Sequence, residues 1–420
     1  MGAAMNTYQL ILLGIFLAEF AFARALSLIN YARLKKMIGV IPPEFAEKLS
    51  GEKSARALRY HRDKMYFGFA ENVFDSIVLA GFLFTPLFGW AHGIFSAGGM
   101  PFVASGLLFF LTLTVVSTLL EIPFDLYFTF AIEKRYGFNT MTPGLWIADF
   151  FKSLILNLLF SSALLAGAFA IVHASPGYWW IILWAFFTAY TLFILYIAPY
   201  VIEPLFNKYK PLDDPGLEQG IRELLDKAGI KVSKILVIDA SKRTGHTNAY
   251  FTGIGRNKRI VFYDTLLTQM DREEVLSVLA HEAGHWKHGH FIKRLAGMTA
   301  GSAVLLYGAF AVIGSGILRT VFPVAGADFF TDIVVMGFIG SLAMFFFTPL
   351  SNYFSRRSER QADRFAHEMT GSSGGLVSAL VKLSADNLST LHPHPWYAMF
   401  HYSHPPVLER IAFLKSLDRK

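Results

Sequence analysis

The sequence predicts a mainly α, polytopic membrane protein of about seven transmembrane helices, joined to one small α/β segment. Three observations carry that prediction. The composition is 54% hydrophobic and only 16% charged, with a mean hydropathy of +0.42, whereas a soluble domain carries roughly 25% charged residues. The apolar residues fall in runs long enough to cross a bilayer. One stretch, from about Glu203 to His290, changes to the mixed composition of a soluble fold.

In chain order, Tyr8 to Leu28 is the first span, apolar except for Glu19 and Arg24. A basic stretch, Arg33 to Lys64, follows; it is partly helical by pattern and broken at Pro42-Pro43. The second and third spans run from about Val73 to Trp90 and from Phe102 to Ile122. The fourth and fifth, Ser153 to Val172 and Trp179 to Val201, are joined by a tight turn at Ser175–Gly177. In the soluble segment, Leu217 to Ala228 reads as an amphipathic helix, and Ile235–Ile238 and Ile260–Tyr263 as short strands. Asn248–Thr252 is a candidate third strand between them. A sixth span, Leu295 to Leu318, and a seventh, Ile333 to Leu350, lead into a polar, mostly helical tail. The chain thus divides into 1–202 (five spans), 203–290 (soluble segment), 291–351 (two spans) and 352–420 (C-terminal segment).

The loop charges orient this plan. Arg33–Lys64, Lys134-Arg135, the soluble segment and the tail are basic and alternate onto one side, while the loops near His92, Ser175 and Gly326 are nearly free of Lys and Arg. By the positive-inside rule the basic side is cytoplasmic, with the N-terminus outside. The net charge of +7 is therefore a topology signal, and no aromatic-interleaved basic patch points to a nucleic-acid partner. Glu19, Arg24, Glu71, Asp75, Glu121 and Asp125 lie in or near spans, where charges are costly against lipid and usually face a hydrated interior. The start, MGAAMN, lacks the charged region and cleavage site of a removable signal peptide. With no cysteine, any metal site must use His and carboxylate.

Such a site is written in Val278–His290, VLAHEAGHWKHGH. His281 and His285 are four apart on a predicted helix, so both imidazoles meet one tetrahedral zinc, with Glu282 a step round the helix beside the open position. Asp271 and Glu274 supply a capping box, and Gly289 a stop. A third ligand is still needed. His288 lies about 10 Å along the helix from His281, too far to share one ion. Glu359, in SRRSERQADRFAHE, is the better candidate because two spans separate it from His285 and return it to the same side. Glu359 and Asp363 are i,i+4, so one can ligate while the other orients a ligand histidine.

HEAGHWKHGH, SRRSERQAD, SKRTGHTNAYFTG and HPPVLER together resemble the CaaX prenyl protease 1 family of integral-membrane zinc metalloendopeptidases. The resemblance implies His281, His285 and Glu359 as ligands of one Zn2+ per chain, and Glu282 as the general base acting on the attacking water. It implies Asp363 as an outer-sphere carboxylate, Asn248 as a holder of the substrate backbone, and His404 and Arg410 as groups facing the peptide and the developing oxyanion. It also implies a zincin-like metalloprotease segment, helices around an interior chamber, and partners limited to a peptide or prenylated peptide and the lipid bilayer, with no oligomer required.

Two other readings compete. A membrane quality-control zinc protease of the bacterial heat-shock type shares only the zinc motifs and has fewer spans. A seven-span transporter or receptor with a structural HEAGH helix leaves four ordered motifs unexplained. The compact length and absent cysteine lean the membrane toward a bacterial inner membrane over endoplasmic reticulum, and no retention signal of the KDEL type ends the chain.

Overall fold

In the computed structural model the described residues are 5–96, 98–253 and 258–419, so Met1–Ala4 of the N-terminal stretch lie outside them. Seven helices are long and apolar enough to cross a membrane: Thr7–Lys36, Gly51–Leu83, Phe102–Glu133, Pro143–Ala174, Trp179–Phe206, His290–Ser315 and Phe329–Thr370. Their starts follow ordinary capping chemistry. Asn6 and Gln9 form a capping box on the first, Thr142 caps the fourth ahead of Pro143, and Asp328 caps the seventh.

Several boundaries differ from expectation for local reasons. The second helix starts at Gly51, because Ser50 caps it and the basic residues that follow are good helix formers. It stops at Leu83, not near Trp90; Pro86 cannot continue it, and a separate short helix, Leu87–Ser96, follows. The sixth ends at Ser315 because Gly316 adopts φ 70, and Arg319 beyond it pairs with Asp332 at 3.1 Å. The seventh does not end near Leu350. It absorbs Pro349 and runs unbroken for 42 residues, so the span and the segment bearing Glu359 form one rod.

The helices pack at their two ends. One core gathers Leu83, Phe88, Phe109, Phe169, Phe322 and Phe330 at the end away from the soluble segment. At the other end Tyr60, Ile132, Tyr136 and Phe138 cluster beneath that segment. Between these ends further contacts join neighbouring helices, among them Phe16 with Phe338 (ring centroids 5.9 Å) and the Tyr190 hydroxyl donating to the Phe160 carbonyl at 2.8 Å. Glu71 and Asp75 on the second membrane helix and Glu121 and Asp125 on the third lie near enough to feel one another's charge. Such charges are costly against lipid and usually face a bundle interior or a water-filled cavity.

The soluble segment holds a four-stranded sheet of order β1-β2-β4-β3. Its strands are β1 (Tyr209–Pro211), β2 (Lys234–Ile238), β3 (Ala249–Thr252) and β4 (Arg259–Tyr263). β2 and β4 run parallel, the outer pairs antiparallel. β1, three residues long and containing a proline, has no readable pattern and was not expected from the sequence. The HEAGH helix, Arg272–Lys287, buries Val275, Leu279, Ala280 and Ala283 in the core shared with the sheet, the helix Pro215–Ala228 and the C-terminal helices.

Glu274 anchors this helix. It is fully buried, accepts from the Asp271 N–H (2.9 Å) and Ser378 Oγ (2.6 Å), and pairs with Lys382 Nζ at 2.5 Å. Removing one partner of a buried pair strands the other's charge. Lys382→Ala is therefore expected to cost about 3 kcal/mol, the low end for such pairs because Lys382 is partly exposed. Thermal unfolding in detergent would then fall clearly below wild type.

Candidate metal centre

His281 and His285 lie one turn apart on the HEAGH helix, and Glu359 meets them from the long seventh helix, which packs alongside. Gly284 makes that packing possible. A Cβ there would lie 2.9 Å from the Ala362 Cα and 3.2 Å from its carbonyl oxygen, which are backbone atoms that cannot step aside. Ala280 and Ala283 are likewise fully buried, so small residues face the neighbouring helix where the ligands must converge.

The ligand atoms converge, each imidazole meeting a different oxygen of Glu359. His281 Nε2 and His285 Nε2 are 3.3 Å apart, His281 Nε2 and Glu359 Oε2 3.4 Å, and His285 Nε2 and Glu359 Oε1 3.2 Å. Metal–ligand bonds of about 2.0–2.1 Å at tetrahedral angles require about 3.3–3.4 Å between ligand atoms. Among the described residues these three form the group able to hold a metal ion. Glu359 Oε2 is buried without a well-aligned hydrogen bond, although His404 Nδ1 approaches to 2.8 Å.

The surrounding groups fix the imidazole orientations. His281 Nδ1–H donates to Asp363 Oδ1 at 2.9 Å, which leaves Nε2 free for a metal. Asp363 is fully buried and is itself gripped by Arg410 through Nε (3.0 Å) and Nη2 (2.6 Å). On the other ligand, His285 Nδ1 lies 3.0 Å from His290 Nδ1, and His290 Nε2 lies 2.9 Å from Gln361 Oε1. With Nε2 of His285 turned to the metal, the protons run His285 to His290 to Gln361. Burial and the charge of Arg410 push the His281 imidazole down, but its hydrogen bonds to Asp363 and Glu359 outweigh them and lift it to about 9. The arrangement is built around a cation.

The structure thus brings together His281, His285, Glu359, Asp363, His404 and Arg410. Glu282 follows His281 on the helix, half-buried, and makes no hydrogen bond among the described residues. Asn248 is exposed at the start of β3, its Oδ1 accepting from the Ala249 N–H at 2.9 Å. β3 is an edge strand, seated on the HEAGH helix through Phe251 and Trp286, whose rings are 6.1 Å apart. His404 is 62% exposed and borders the site from outside, whereas Arg410 is turned inward onto Asp363. His288 stacks on His290 and touches Phe365, away from the ligand set. Sequence reasoning missed the roles of His290 and Gln361, which are 71 residues apart. A histidine just past the Gly289 stop was the one available signal.

Comparison with known proteins agrees along the chain. Residues 30–208 match the family described as CAAX prenyl protease N-terminal, five membrane helices, and residues 211–418 match peptidase family M48. A CAAX prenyl protease 1 homolog of Oryza sativa subsp. japonica is 33% identical over 398 residues, covering 90% of this chain and 91% of the relative. The CAAX prenyl protease 1 of Saccharomyces cerevisiae is 32% identical over 450 residues, covering 98% and 96%. The crystal structure of S. mikatae Ste24p superposes with a TM-score of 0.90 at 28% identity, covering 98% of this chain and 100% of that one. These relatives are eukaryotic and lend no support to the bacterial leaning.

Two substitutions check the geometry. Gly284→Ala should force the two helices apart, costing about 1–3 kcal/mol as overpacking does, and should lower metal content in elemental analysis of the purified protein. Asp363→Asn should weaken metal affinity by about 10–100-fold, the usual effect of losing an outer-sphere carboxylate, measured by chelator competition.

Proposed function

The chain belongs to peptidase family M48, with the N-terminal five-helix region of the CAAX prenyl proteases, and from that premise we propose that it cleaves prenylated CaaX-type peptides near their C-terminus. It is a multi-pass membrane zinc metalloendopeptidase. The proposal adds the substrate, the residue roles and the orientation. Its strongest support is the convergence of His281, His285 and Glu359, with Glu282 next to His281, at one end of a set of seven membrane helices. Relatives bearing the prenyl protease name match 90–98% of the chain, where a heat-shock type protease would be expected to resemble it only around the zinc motifs.

In this reading His281, His285 and Glu359 hold one zinc per chain. Zinc bound there supplies a Lewis acid for the scissile carbonyl and lowers the pKa of water to about 7. Glu282 takes the proton of the attacking water and hands it to the leaving amine. His404, exposed beside Glu359, donates to the oxygen on which negative charge develops, a contribution typically worth about 10²–10³ in rate. Asn248 and the free edge of β3 bind the peptide as an added strand. Arg410, expected from the resemblance to face the peptide, acts here through Asp363, holding the carboxylate that orients His281. The chamber admits the lipid tail while the peptide reaches the metal.

We keep the orientation read from the loops, with the N-terminus outside and the soluble segment and C-terminus cytoplasmic. We also keep the functional division at 1–202, 203–290, 291–351 and 352–420, although one helix crosses its last boundary. The test is cleavage of a farnesylated CaaX reporter peptide by detergent-purified protein, wild type beside Glu282→Gln, with zinc measured on both. Cleavage by wild type is expected, together with loss of activity and retention of one zinc per chain in the variant. If both proteins hold zinc and neither cuts, the substrate assignment falls and the metal site stands.

A further inference from the structure

The motif SKRTGHTNAYFTG contributes only Asn248 to the reaction described above, yet its other polar residues are not idle. Arg243 donates to Asp149 through Nε (2.8 Å) and Nη2 (3.3 Å), and Asp149 is buried near the start of the fourth membrane helix. His246 Nε2 lies 3.3 Å from Glu133 Oε2, at the end of the third membrane helix. Tyr250 donates to Glu203 Oε2 at 3.1 Å, where the fifth membrane helix runs out. Three membrane helices thus each present one carboxylate to one short segment, at positions 243, 246 and 250, on either side of Asn248.

Each contact looks constructed. Glu133 closes a π-helical turn, Phe128–Glu133, and Glu203 follows another, Ala198–Ile202. Such turns cost regular hydrogen bonding, re-aim the residues beyond them, and occur frequently at functional sites. His246 lies between Glu133 and Asn387 Oδ1 (2.7 Å), the hydrogen bond to Glu133 raising its pKa above the usual imidazole value, and it stacks on Phe138 at 4.5 Å. The backbone joins in: Gly245 N–H donates to Phe138 O at 2.9 Å, and Asn139 and Thr244 form a β-bridge. Tyr60 donates to the second oxygen of Glu133 at 2.6 Å.

β3 needs such support, because as an edge strand it is paired on one side only. One face is seated by Phe251 against Trp286, and Tyr250 reaches Glu203 from the other. A one-residue slip of a strand reverses every side chain on it, and a peptide laid along β3 inherits its register. We infer that Glu133, Asp149 and Glu203 are positioning residues which hold Arg243, His246 and Tyr250, fix β3 in the membrane frame, and thereby decide which peptide bond reaches Glu282. This rests on the proposed binding of substrate along β3.

The experiment uses full-length protein in detergent carrying Tyr250→Phe, Glu133→Gln or Asp149→Asn, with Asn248→Ala as a control for the binding reading. Zinc content, kcat, KM and product masses are measured on the farnesylated CaaX reporter, alongside hydrogen exchange of the 249–252 amides. The expected result is zinc at the wild-type level, kcat/KM lowered about tenfold by misplacement, a fraction of product cut at a neighbouring bond, and faster exchange in β3. A single wild-type product with kcat/KM within twofold overturns the inference, and so does loss of zinc along with activity, which marks mere support of the fold. If wild type does not cut the reporter, the substrate reading fails, and exchange then decides the clamp: unchanged β3 amides in all three variants overturn it. If Asn248→Ala alone is silent, the binding reading falls while altered products from Tyr250→Phe still support the clamp.

Discussion

Everything at the metal centre depends on how closely two helices approach at Gly284. The HEAGH helix and the seventh membrane helix meet with backbone against backbone, glycine facing Ala362. Only at that separation does a carboxylate side chain on one helix reach two imidazoles on the other. His281 and His285 need nothing from the rest of the chain to stand together, since helical periodicity does it. Glu359 needs two membrane crossings, an uninterrupted 42-residue helix and a residue without a side chain at the point of contact. The remaining pieces act on this junction. Glu274 and Lys382 hold the HEAGH helix from its N-terminal end, and the C-terminal helices close over the far side of the same core.

The electrostatic design follows from the same junction. Two buried carboxylates, Glu359 and Asp363, stand one turn apart, and both would be costly if uncompensated. Arg410 neutralises Asp363 through a bidentate pair, and a metal ion held by His281, His285 and Glu359 would neutralise the other. The division of labour is therefore set by what each carboxylate faces. Asp363 looks toward the outer ring nitrogen of His281 and a fixed arginine; Glu359 looks toward both inner ring nitrogens and an exposed histidine. An arginine committed in this way is fixed on Asp363, whereas His404 stays exposed beside Glu359.

Much of this was legible in residue order. The i,i+4 histidines, the capping box at Asp271 and Glu274, and the parity argument that returns Glu359 to the side of the histidines all rest on local geometry or on counting spans. Span ends were less legible, because hydropathy sees the lipid boundary and not the helix. Gly51 to Met65 is too polar to read as a span, yet it continues the helix. The seventh span reads as ending near Leu350, yet the helix takes in Pro349 and runs on to Thr370. β1 is too short for a period to register. Contacts between distant residues, such as His290 with Gln361 or Arg410 with Asp363, leave no pattern at all, since nothing in either segment alone calls for the other.

Seating a small sheet on a frame of separate membrane helices has a mechanical consequence. A soluble segment resting on such a frame would inherit its movements unless tied to several helices at once. Ion pairs and charge-assisted hydrogen bonds suit that task at the membrane surface, where water is scarce enough to strengthen them and no continuous core is available. Arg243, His246 and Tyr250 spread three such ties over three helices, so the strand beside the metal moves with the frame as a whole. On the proposed reading, movement among the membrane helices and a register strict enough for one peptide bond can then coexist in a single chain.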